Sequence, residues 1–72
     1  MPLHILKKIR VDKGITQLQL ANSLKKPQSF VSKYESGERR IDIREFIHIC
    51  NALEETPSDI IILLEKEKTN GF

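Results

Sequence analysis

The sequence has one cysteine, no tryptophan, one tyrosine, and only three glycines and three prolines among its 72 residues. A single thiol closes no internal disulfide and anchors no cysteine-based zinc site. No stretch approaches the run of about 18 apolar residues that a membrane span requires. The opening M-P-L-H-I-L-K-K lacks the charged, apolar, small-residue order of a signal peptide, so a cytoplasmic protein is expected. The signatures of catalysis are missing as well: no acid pair in an apolar setting, no nucleophile–base arrangement, no cluster of metal ligands, no Gly-rich phosphate loop. Neither an enzyme nor a cofactor or metal protein is expected.

What the chain does have is charge, unevenly placed. Residues 1–40 carry nine Lys/Arg against three Asp/Glu, a net +6, whereas residues 41–72 carry three against seven, a net −4. Either the surface charge is random, or one end meets a polyanion and the other does not. The length suits one domain, residues 1–72, close to the lower limit for folding without staples. A core of that size supplies only about 3–5 kcal/mol, so association with a second subunit would add appreciably to stability.

Residues 16–37, T-Q-L-Q-L-A-N-S-L-K-K-P-Q-S-F-V-S-K-Y-E-S-G, organise the rest. They read as two short helices joined by a tight bend. Thr16 followed by Gln19 has capping-box spacing, and Leu20, Ala21 and Leu24 follow at helical intervals. Pro27 is placed at the first turn of the second helix, and Gly37 supplies the left-handed residue that ends it. At ~100° per residue from Gln28, Ser32, Ser36, Ser29 and Lys33 span ~40–140°, while Phe30, Tyr34 and Val31 fall at ~200–300°. The outward side thus holds an amide, hydroxyls and a cation, with no acid. A face polar only for solubility usually mixes charge signs; a face that meets DNA needs donors and acceptors that reach base edges.

Around this pair, residues 3–13 are expected to form a first helix. Leu6 and Ile9 lie inside, Lys7, Lys8 and Lys13 outside, and Gly14 ends it. Arg10 is the notable charge, lying near the buried stripe at i+4 from Leu6. His4 is read as a solvated residue at the helix start, since no second ligand is near. After the pair comes E-R-R-I, whose Arg39 and Arg40 are either solvated loop charges or phosphate contacts. The phosphate reading is preferred because Lys25 and Lys26 bracket the other end of the same helix.

Asp42 and Glu45 repeat the capping pattern. Ile43, Phe46, Ile47, Cys50 and Leu53 then follow the i, i+3, i+4, i+7 rule, with Ile49 at the edge of the stripe. Cys50 is read as a small core residue; His48 lies on the opposite face, which argues against a catalytic thiol. The last element starts T-P-S-D, with Thr56 as cap, Pro57 at the first helical position and Asp59 near the positive helix end. Residues 60–64, I-I-I-L-L, are apolar all round. Ile60, Ile61 and Leu64 are assigned to the core; Ile62 and Leu63 remain uncovered and mark a subunit contact. A β-strand is the competing local reading of three consecutive isoleucines. The proline-led cap and the E-K-E-K continuation favour helix, with 69–72 a frayed tail. Five helices, short links and no strand signal define an all-α class, a compact five-helix bundle.

The segments L-K-K-I-R-V-D-K-G-I-T-Q-L-Q-L-A, P-Q-S-F-V-S-K-Y-E-S-G-E-R-R and E-F-I-H-I-C-N-A-L closely resemble the lambda-repressor/Cro-like (XRE, Cro/C1-type) helix-turn-helix family over about residues 3–64. The resemblance implies a five-helix DNA-binding domain, a homodimer, and operator recognition by a transcriptional regulator. It places Gln28, Ser29, Ser32 and Lys33 at base-facing positions. Gln17 matches a phosphate-contacting glutamine that in some members also steadies the one matched by Gln28. Ala21 matches the small residue where the two helices cross, and Arg10 and Glu35 match an ion pair tying the first helix to the third. Lys25 departs from the family's usual glycine at the bend, where a left-handed backbone would cost it about 1 kcal/mol. Pro27 departs from the usual Ser/Thr cap.

The resulting expectation is a regulator, a repressor by the resemblance, binding double-stranded DNA as a homodimer. The Gln28–Ser36 helix reads bases, and Gln17, Lys25, Lys26, Arg39 and Arg40 hold phosphates. The alternative is a protein-interaction module that binds another chain, as an antitoxin does, through Ile62 and Leu63.

Overall fold

The computed structural model describes residues 4–67, and within them the chain forms five helices and no strand. They are α1 (His4–Asp12), α2 (Gln17–Leu24), α3 (Gln28–Ser36), α4 (Ile43–Ala52) and α5 (Pro57–Glu67). The expected tail, 69–72, lies outside the described residues. Helix rather than strand holds over residues 60–64.

Local chemistry starts and stops these helices. Thr16 Oγ1 accepts the Gln19 amide at 3.0 Å while Gln19 Oε1 accepts the Thr16 amide at 2.8 Å. Asp42 and Glu45 make the same reciprocal pair at 2.7 and 3.0 Å. Each box satisfies two amides that the first helical turn cannot pair, and losing such a cap costs about 1 kcal/mol. Pro27 stands one position earlier than the sequence suggested: it is the N-cap of α3, extended at φ −64°, ψ 153°, with no side-chain cap bond. Its carbonyl accepts the Phe30 amide at 3.0 Å.

Helices α1 to α4 all end in the same left-handed motif. A residue of positive φ donates to the carbonyl three back, and its successor to the carbonyl five back. At Gly14 the bonds are Gly14 N–H to Val11 (2.9 Å) and Ile15 N–H to Arg10 (3.0 Å). At Gly37 they are Gly37 N–H to Tyr34 (3.3 Å) and Glu38 N–H to Lys33 (2.9 Å). Lys25 (φ 57°) and Glu54 (φ 60°) make the same turn with a side chain attached. The bonds there run from Lys25 and Lys26 to Asn22 and Ala21, and from Glu54 and Glu55 to Asn51 and Cys50, at 2.9–3.1 Å. The strained bend expected at Lys25 is present, and Glu54 accepts the same cost.

The core comprises Ile5, Leu6, Leu20, Ala21, Val31, Tyr34, Phe46, Ile49, Cys50, Leu53 and Ile60. Helix α2 packs on α3 and α4, α5 on α4, and α1 on α3. Fully buried Ala21 allows close approach where a larger side chain would separate the helices. The α4 stripe is rotated from its expected position. Phe46, Ile49, Cys50 and Leu53 are buried, whereas Ile43 is 62% and Ile47 39% exposed. Taking the centre of the buried set as zero, Ile43 lies ~70° and Ile47 ~110° away at ~100° per residue, beyond the reach of α2 and α5. Among the described side chains of α5, Ile60 is buried and Leu64 half-buried; Ile61, assigned to the core from sequence, is exposed to the same 48% as Ile62, beside Leu63 at 43%. Lys13, expected simply outside, is tied down. Its Nζ donates to the Leu53 carbonyl at 2.5 Å and pairs with Glu55 at 2.9 Å, clipping the end of α1 to the turn after α4.

Candidate nucleic-acid interface

The α2–turn–α3 unit turns one side of α3 to solvent. Gln28, Ser29, Lys33 and Ser36 are exposed and Ser32 is half-buried, while Val31 and Tyr34 are buried beneath them and Phe30 is half-buried. The single acid of α3, Glu35, is buried against Arg10 and Gln17, its side chain 3% exposed. The outward side therefore offers the Gln28 amide, the Lys33 ammonium and serine oxygens. Ser32 Oγ donates to the Ser29 carbonyl at 3.2 Å and Ser36 Oγ to the Lys33 carbonyl at 3.1 Å. Ser36 Oγ also lies 3.2 Å from Glu38 Oε2, to which it can donate instead; Ser32, with its hydrogen committed, presents lone pairs outward and acts as an acceptor.

The orientation of this face is set from behind by a buried ion pair. Arg10 Nε and Nη2 donate to the two Glu35 oxygens at 2.7 and 3.0 Å, and Arg10 Nη1 donates to the Ile15 carbonyl at 2.6 Å. Gln17 Nε2, at the first position of α2, donates to Glu35 Oε1 at 3.0 Å. One carboxylate thus joins α1, α2 and α3. A buried charge is tolerated only when its lone pairs are this well satisfied. One hydrogen of the Gln17 amide remains for an outside acceptor.

Two core groups beside this network are chemically quiet. The Tyr34 hydroxyl has no hydrogen-bond partner among the described residues, and burial, reinforced by Glu35, raises its pKa well above that of an ordinary phenol. Burial, then the nearby Glu55, pushes the Cys50 thiol up to about 11, so at neutral pH it is a packed thiol and not a nucleophile. Among the described residues no group of three His, Cys, Asp or Glu side chains could hold a metal ion, and no helix is long and apolar enough to cross a membrane.

The five cation and amide positions flanking α3 are arranged unequally. Lys25 and Lys26 lie exposed at the bend before it, and Arg40 is exposed in the link after it. Arg39 is turned aside: its guanidinium lies 4.6 Å from the Phe30 ring centroid and forks onto Glu45 at 2.9 and 3.1 Å. That fork holds the Glu45 carboxyl below its ordinary value. Lys26 Nζ stands 5.7 Å from the same ring. Ile62 and Leu63 are exposed on α5. The holds on Arg39 and Lys13 were invisible in sequence, because their partners are set by packing and no local spacing announces them.

Residues 6–60 match the Helix-turn-helix family. The chain is similar in structure to an XRE-family like protein from Pseudomonas syringae pv. tomato str. DC3000, with 42% sequence identity and a TM-score of 0.86, covering 93% of this chain and 82% of that one. It is also similar to the clp gene regulator ClgR from C. glutamicum, with 25% identity and a TM-score of 0.79, covering 90% and 84% of the two chains. No curated protein matches the sequence. With its two-helix unit, its Gly37 stop and the family match over most of its length, the chain belongs to the XRE (Cro/C1-type) helix-turn-helix family of DNA-binding transcription regulators.

Proposed function

We propose that the protein binds a near-palindromic operator as a homodimer in the cytoplasm, with α3 of each subunit in successive major grooves, and that the outcome is repression. The observation that carries this reading is the outward side of α3, which has no exposed acid of its own, flanked by Lys25 and Lys26 at one end and Arg40 beyond the other, with Glu38 against Ser36 at the last turn. Gln28, in the first turn, suits bidentate pairing with adenine N6 and N7, and Lys33 suits guanine O6 and N7. Ser29 and Ser32 discriminate more weakly. Ser32, its hydrogen committed, suits an amino donor on cytosine or adenine. Lys25, Lys26, Arg40 and the spare amide hydrogen of Gln17 hold phosphates and fix the register without reading sequence.

The subunit contact is assigned to Ile62 and Leu63; Ile61, equally exposed, lies ~100° further round the helix from Ile62. A two-fold dimer places half-sites about one helical turn, ~34 Å, apart. Selection of bound duplexes from a random pool, with sedimentation of the chain alone, tests both parts. Paired, inverted half-sites at that spacing and a dimeric mass are expected. A monomer with no sequence preference would instead leave Ile62 and Leu63 to a different protein, making the domain an interaction module.

A further inference from the structure

The two adjacent arginines after α3 differ in their surroundings. Both are exposed, Arg39 over 40% of its side chain, but the Arg40 guanidinium makes no ion pair among those described. Arg39 is held on three counts: one face against the Phe30 ring at 4.6 Å, a two-pronged fork on Glu45, and Nη1 donating to the Arg40 carbonyl at 3.0 Å. Glu45 is fixed in its turn, since its Oε1 also accepts the Asp42 amide in the α4 capping box. Phe30 lies in the first turn of α3, two residues from Gln28 and next to Ser29, and meets Tyr34 edge-on at 5.6 Å between centroids. Arg39 therefore reaches back from beyond the end of α3 and joins the start of α3 to the start of α4.

We propose that Arg39 is a positioning residue for sequence reading: through Phe30 and Glu45 it fixes the first turn of α3, and so the placement of Gln28 and Ser29 against base edges, without itself gripping a phosphate. This rests on the proposal that α3 reads DNA. A bidentate guanidinium stacked on a ring is a geometry that lysine cannot reproduce, whereas a lysine ammonium still holds a phosphate as a point charge and keeps its share of the salt dependence. The substitution Arg39→Lys therefore separates the two roles while preserving net charge.

The test measures binding to the selected duplex and to a random duplex across a salt series, for the unmodified chain, Arg39→Lys, Phe30→Leu and Arg40→Ala, at a temperature where circular dichroism shows each folded. For Arg39→Lys and Phe30→Leu the cognate-to-random affinity ratio should fall about tenfold, as for one misplaced base contact, with the salt slope unchanged. The double variant should lose no more than either single one, because both act on one contact. Arg40→Ala should leave the ratio intact and reduce the slope by about 0.9, the loss of one phosphate contact. An Arg39→Lys variant with an unaltered ratio overturns the proposal. So does a Phe30→Leu variant that keeps full discrimination. If the unmodified chain makes no distinction between the two duplexes, the DNA-reading proposal itself fails, and the role of Arg39 falls with it.

Discussion

The α2–α3 pair and the α4–α5 pair are built by the same local rules. Each first helix opens with a capping box, Thr16–Gln19 or Asp42–Glu45. Each ends in a left-handed turn carried by a residue other than glycine, Lys25 or Glu54, with equivalent hydrogen bonds. A proline stands at the entrance to each second helix, Pro27 or Pro57. Both pairs are moored to α1 or the turn that follows it, the first by Arg10 on Glu35 and the second by Lys13 on the Leu53 carbonyl and Glu55. They part company in what the second helix leaves uncovered: α3 shows an amide, hydroxyls and a cation, α5 shows Ile61, Ile62 and Leu63. Helix signals set the geometry of a two-helix unit, and the outward face alone decides whether a duplex or another protein surface suits it.

The moorings provide the largest contrast. Arg10 and Glu35 are almost fully buried, with side chains 9% and 3% exposed, so Arg10→Ala strands a carboxylate in the interior, at a cost of about 3–5 kcal/mol. That is comparable with the whole stability of a domain this size, and most helicity should be lost at 25 °C. Lys13 and Glu55 are each about one-third exposed, and Lys13→Ala should cost no more than about 1 kcal/mol in urea unfolding. Equal losses would show that the two pairs are not moored as described.

The faces come next. Gln28→Ala should weaken the selected duplex by about 1–3 kcal/mol, relax one base position and leave the subunit mass unchanged. Leu63→Asp should do the reverse, yielding a monomer in sedimentation while the preference for a single half-site persists. A dimer that survives Leu63→Asp places the subunit contact elsewhere.

The smallest effects lie in the turns. Lys25→Gly and Glu54→Gly each remove left-handed strain, set against the greater freedom glycine gives the unfolded chain, and each should raise stability by less than about 1 kcal/mol. The two should differ on DNA. Lys25→Gly should weaken all sequences alike and lower the salt slope, whereas Glu54→Gly should not weaken binding. Identical behaviour would remove Lys25 from the phosphate set.

Much of this was legible in the residues because it depends on spacings of three or four. Both capping boxes, the glycine stops, the inward Val31–Tyr34 side of α3 and the outward Gln28–Lys33 side follow from local chemistry alone. Burial on α4 was not, since isoleucines surround the helix and only the positions of α2 and α5 select Ile49 over Ile43 and Ile47. Ile61 escaped for the same reason: five apolar residues in a row carry no period. The turn at Glu54 had a weak signal, Thr-Pro two residues on, but nothing marks a glutamate for positive φ. Lys13 and Arg39 meet their partners only after folding, across 40 residues in the one case and through an aromatic ring in the other.

The central claim is that the outward side of α3 is the surface that meets DNA. Backbone amide shifts recorded while the selected duplex is titrated into the labelled protein test it directly. The largest perturbations should fall on Gln28, Ser29, Ser32 and Lys33, with smaller ones at Lys25, Lys26 and Arg40 and none specific to the core side of α3. Perturbations concentrated on residues 61–63, with α3 unmoved, would contradict it.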